Sequence, residues 1–84
     1  MAYPLFARVA FREDFSEYSL RRGDIATVVE QHEGGESLET GYSLEVFNAV
    51  GETMAVLVVG ESQTESLRQN EIFHIRRFDE AMAA

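Results

Sequence analysis

The chain has 84 residues, with fifteen acids against seven bases, a formal net charge of −8 and no cysteine. A chain of this length builds one domain on one modest core, burying roughly 60–65% of its unfolded surface. The missing thiols exclude disulfides, thiol catalysis and cysteine-ligated zinc, and the acidity works against non-specific nucleic-acid binding, which gains affinity from counterions released by phosphates.

The N-terminal "MAYPLFARVAF" lacks the basic start, long apolar stretch and small-residue cleavage site of a signal peptide. The stretch "FARVAFRED" then alternates, with Ala7, Val9 and Phe11 on one face and Phe6, Arg8, Ala10 and Arg12 on the other. That pattern predicts a half-buried first strand, with Pro4 tolerated just before it. "EDFSEYSLRRG" reads as a structured excursion anchored by Phe15, Tyr18 and Leu20, and "DIATVVEQH" as the second strand. "HEGGESLETG" is a polar, acidic insertion over residues 32–41.

"YSLEVF" predicts the third strand, with Tyr42, Leu44 and Val46 sharing a face. "NAVGE" is a turn signal, because Asn48 and Gly51 accept positive φ at low cost. "TMAVLVV" is the fourth strand and completes a hairpin over residues 42–59. Its apolar run is far too short to span a bilayer, and the chain reads as cytoplasmic. "GESQTES" reads as a loop, "ESLRQN" as a single helical turn, "EIFHIRRF" as the fifth strand, and residues 79–84 as a fraying tail. The predicted core is Val9, Phe11, Leu20, Val28, Leu44, Val46, Leu57 and Ile75.

One domain over 1–84, with its core at about 6–78, therefore takes an all-β fold. The expectation is a small five-stranded SH3-like barrel with one short helical turn before the last strand, its main rival being a five-stranded OB-like barrel, which generally needs longer strands and more chain; closing the sheet limits exposed edges that so short a chain cannot cover with helices. Gly23-Asp24 has a structural role in it. The glycine lets the chain turn sharply into the second strand, and the aspartate accepts backbone N–H bonds within the turn.

The stretch "EDFSEYSLRRGDIATVVE" resembles the signature of a small bacterial family, domain of unknown function 4926, at Glu13, Asp14, Glu17, Tyr18, Leu20, Gly23 and Thr27 to Glu30. "YSLEVFNAVGET" and the stretch from Leu67 to Ile75 are similar to two further segments of that family. Ala26 stands where the family usually has glycine, and the insertion at 32–41 is longer than usual. The resemblance implies an SH3-like barrel without an established activity. It also implies a setting beside another small gene, as in toxin–antitoxin or toxin–immunity pairs.

Signals for catalysis are absent. His32 and His74 stand apart without metal-ligand spacing. The carboxylate pairs Glu13/Asp14 and Asp79/Glu80 adjoin bends or the tail, where solvated charge is the default. No nucleophile elbow occurs, and Gly34-Gly35 opens no phosphate loop. The expectation is no enzyme, no cofactor and no metal site.

The leading reading is a non-catalytic protein-binding module of antitoxin or immunity type. Its partner is expected to be a basic protein rather than nucleic acid or a membrane, steered by the acidic field. The expected contact is the insertion, through Glu33, Glu36, Leu38 and Glu39. An alternative is an RNA or ribosome binder resembling KOW-type barrels, through Arg8, Arg12, Arg76 and Arg77. Another is an enzyme's accessory subunit resembling the small-subunit barrel of nitrile hydratase.

Overall fold

The computed structural model describes residues 3–34 and 39–78, which form a five-stranded antiparallel sheet around one core. The strands are β1 (Arg8–Phe11), β2 (Ile25–His32), β3 (Gly41–Phe47), β4 (Thr53–Gly60) and β5 (Thr64–Ser66). Their order across the sheet is β4-β3-β2-β1-β5, so the first and last strands are neighbours in a small, barrel-like all-β fold. Among the described residues no helix is long and apolar enough to cross a membrane.

Alternation sets the core. Val9 and Phe11 from β1, Ala26 and Val28 from β2, and Tyr42 and Leu44 from β3 are buried together in the core. Val46, Leu57, Val59 and Leu20 complete it. The β3–β4 hairpin turns at "NAVGE" as the sequence predicts, with positive φ at Gly51 and not at Asn48. Gly51 takes φ +90°, while the Asn48 side-chain oxygen accepts from the Val50 and Glu52 amides at 3.1 and 2.9 Å.

The Gly-Asp turn is likewise where it was expected. Gly23 has φ +92°, and the Arg21 amide donates to Asp24 Oδ2 at 2.7 Å. Asp14 fastens the same turn by accepting from the Arg22 amide at 2.8 Å. The excursion before it carries a 3₁₀ turn at Ser16–Tyr18 and closes on a two-way bridge between Phe15 and Leu20. Leu20 is buried and Phe15 packs its ring 5.2 Å from Phe11, whereas Tyr18, expected as a third anchor, is exposed.

The last third of the chain differs from the sequence reading. A 3₁₀ turn at Glu61–Gln63, capped by the Gly60 amide on Gln63 Oε1, delivers the chain directly to β5. Thr64, Glu65 and Ser66 pair with Phe11, Ala10 and Val9, so "TES" is the fifth strand. This leaves both edges of β1 occupied, by β2 and β5, so residues 71–78 cannot pair beside β1. "EIFHIRRF" accordingly runs as an unpaired strap, and Ile75, expected in the core, is 87% exposed. The helical turn expected at "ESLRQN" is instead a single turn closed by the Glu71 amide on the Arg68 carbonyl at 3.1 Å. The first strand is also shorter than "FARVAFRED", because Phe6 adopts φ +68° and breaks the extended run.

Candidate functional site

The strap is held by one clamp and one packed ring. Arg76 presents Nε to Asp24 Oδ1 at 3.0 Å and Nη2 to Asp24 Oδ2, and the same Nη2 donates to the Ser19 carbonyl at 3.0 Å. Both side chains of this pair are 19% exposed. The Asp24 carboxylate therefore serves two elements at once, its own turn and the strap. Phe78 packs against the core, and the Arg8 guanidinium lies 5.5 Å from the centre of the Phe73 ring. Beneath the strap runs a groove of about 1310 Å³ whose lining includes Arg8, Ala10, Asp24, Ile25, Phe73 and Arg76. Cover from the strap explains why Ala10 is buried although it faces away from Val9 and Phe11.

The four arginines of the RNA reading are divided by this arrangement. Arg8 and Arg76 line the groove, with Arg76 neutralised by Asp24, and Arg77 is exposed. Arg12 lines a separate polar recess with Tyr3, Glu39 and Glu61.

That recess of about 400 Å³ is lined further by Thr40, Ser62 and Thr64. The Tyr42 ring is fully buried, and its hydroxyl donates to Glu61 Oε1 at 2.9 Å while accepting from the Tyr3 amide at 3.0 Å. Burial foremost, and the neighbouring Glu61 carboxylate, raise the Tyr42 phenol above its ordinary pKa of 10.0; the Tyr3 amide acts in the opposite sense. Thr64 Oγ1, also buried, bonds the Tyr3 hydroxyl at 3.1 Å and the Glu61 carbonyl at 3.0 Å. The recess is thus a satisfied hydrogen-bond network that ties the N-terminal segment to the turn before β5.

Of the insertion residues expected to meet a partner, Glu36 and Leu38 lie outside the described residues. Glu33 is exposed. Glu39 is engaged within the fold, where its carboxylate accepts from the Ser62 amide at 2.7 Å and the Ser62 hydroxyl at 2.9 Å. His32 Nε2 lies 2.7 Å from Ser43 Oγ, and His74 is exposed on the strap. Among the described residues no three His, Asp or Glu side chains converge as metal ligands would.

The outer face of the β3–β4 side is different in kind. One register row across the sheet runs Arg8, Thr27, Glu45 and Val56, and another runs Glu30, Ser43 and Val58. Val56 and Val58 are 56% and 66% exposed, whereas the partly exposed Met54 and Phe47 line the groove beneath the strap. Between Arg22 and Arg68 the chain contains no arginine or lysine, so β2, β3 and β4 carry none. Glu45 pairs with Val56, Glu30 lies two strands from Val58 in its row, and Glu52 immediately precedes β4. The sequence signal for this surface is "TMAVLVV", a strand apolar on both faces, read together with the base-free interval.

The sequence profile of DUF4926, a domain of unknown function, matches residues 5–66. No curated protein and no solved structure matches the chain. The matched span begins just before β1 and ends at the last residue of β5, so it contains the whole sheet and leaves out the strap. The chain belongs to the DUF4926 family.

Proposed function

We propose that this protein is a non-catalytic binding module whose acidic β2–β4 side engages a basic protein in the cytoplasm. The observation that carries the reading is the division of charge: glutamates border an exposed apolar face on strands that hold no arginine or lysine. Charge so placed raises the rate of encounter with a cationic partner, and the apolar centre supplies the area that holds it. The insertion that follows β2 in the sequence adds Glu33, Glu36, Leu38 and Glu39 to the same base-free interval. An antitoxin or immunity role is one form of the same activity, since such modules work by covering a partner's surface.

The experiment has two stages. A partner is first recovered from the native host with the intact protein and identified by mass spectrometry. Association is then measured for the parent and for a triple variant carrying Glu30→Gln, Glu33→Gln and Glu45→Gln. The variant is expected to associate more slowly at low salt, with the difference shrinking as salt screens the field. Equal on-rates with the fold intact overturn the reading.

A further inference from the structure

The two edges of the sheet are treated differently. β5 is three residues long and carries Glu65, which suits an edge closed to further pairing. β4 is eight residues long, Thr53–Gly60, and holds no charge and no proline. It pairs on one side with β3, and among the described residues no other strand pairs with its second side. Short edge strands, charges and prolines are the usual means of keeping an edge from recruiting another chain, and β4 uses none of them. Its outward residues Val56 and Val58 add apolar surface directly beside that open row of amides and carbonyls.

We infer that β4 is a strand-addition site, at which an extended segment of a basic partner protein extends the sheet antiparallel or parallel to β4. The segment has apolar residues at alternate positions and arginine or lysine at its ends. Main-chain hydrogen bonds supply the register, and the alternate side chains rest beside Val56 and Val58. Charge selects the occupant. Glu52 and Glu61 bracket β4, and Glu45 adjoins Val56 in the ladder. A second copy of this chain fits poorly, because centred antiparallel pairing of two β4 strands brings Glu52, just before β4 in each copy, near Glu61, which opens the 3₁₀ turn after β4 in the other. Like charges brought together at both ends of the pairing repel. A strand with cationic ends meets the same glutamates favourably. This inference rests on the proposed function and adds its mode and its place.

The test uses the intact protein and two synthetic peptides, each about as long as β4. Both carry the same alternating valine–threonine centre, one flanked by arginines and the other by glutamates. Binding is followed by titration, and amide hydrogen exchange is measured across the sheet. The arginine-flanked peptide is expected to bind and to slow exchange within Thr53–Gly60, with the glutamate-flanked peptide about tenfold weaker or worse. Val58→Lys, at an exposed position, should keep the parental melting curve and weaken the arginine-flanked peptide about tenfold. Protection that falls outside β4 overturns the inference, as does a free protein already dimeric through β4. If Val58→Lys leaves the natural partner's affinity unchanged while the glutamine triple variant slows its association, strand addition fails and the acidic-surface reading stands. The reverse pattern removes the acidic-surface reading.

Discussion

Asp24 and Tyr42 show how single side chains join parts of the chain that are distant in sequence. Asp24 accepts from the Arg21 amide and also receives the Arg76 guanidinium. Hydrogen bonds to charged groups contribute about 1.5–3 kcal/mol, so Arg76→Ala should lower stability within that range. Asp24→Ala should cost more, because the Arg21 amide loses its acceptor as well, and denaturant unfolding of both single variants and the double variant separates the two roles. Tyr42 carries a pH prediction. Its folded-state pKa is raised, so between the ordinary value of 10.0 and the folded value the native state binds more protons than the unfolded state. The stability this contributes is intact below pH 10.0 and is lost as pH rises through the folded pKa. Tyr42→Phe should lose about 1 kcal/mol at neutral pH, from the bonds to Tyr3 and Glu61, yet show a shallower decline on the alkaline side. Urea midpoints measured across that range for both proteins check it.

At the level of elements, β1 to β4 were legible because each carries a hydrophobic pattern tied to burial. Val9 and Phe11, or Tyr42, Leu44 and Val46, alternate and are buried together. β5 was not legible: Thr64, Glu65 and Ser66 have no apolar period, and their pairing follows from where the 3₁₀ turn at Glu61–Gln63 delivers the chain. "EIFHIRRF" misled for the opposite reason. Ile72, Phe73 and Ile75 supply strand-like composition, but β1 has no free edge to receive them. Leu44→Ala and Ile75→Ala test this contrast. Removing the fully buried leucine should cost about 2–5 kcal/mol, whereas the exposed isoleucine should cost under about 0.5 kcal/mol. Of the candidate site, the acidity and the arginine positions were readable directly. The open edge of β4 was not, because which strand lies outermost is a property of the sheet order rather than of "TMAVLVV".

Across the whole molecule, the family match and the sheet end together at Ser66, while the strap beyond adds the Asp24–Arg76 clamp and the Phe78 contact. A chain shortened to residues 1–66 should therefore keep its β-sheet circular dichroism and melt at a lower temperature than the full chain. Loss of the sheet signal would make the strap part of the fold itself. The sheet order also carries a consequence for how the molecule comes to be folded. β2, β3 and β4 pair in sequence order, but β1 lies between β2 and β5, and Phe11 reaches its partner Thr64 only across most of the chain. Contacts between positions so far apart in sequence form late, because the entropy of closing the intervening loop must be overcome first. On the ribosome, where the N-terminus emerges first, the β2–β4 meander can assemble while β1 still has one edge bare. Val9 and Phe11 then wait for a three-residue polar strand, and the final seal of this domain is set by the arrival of "TES".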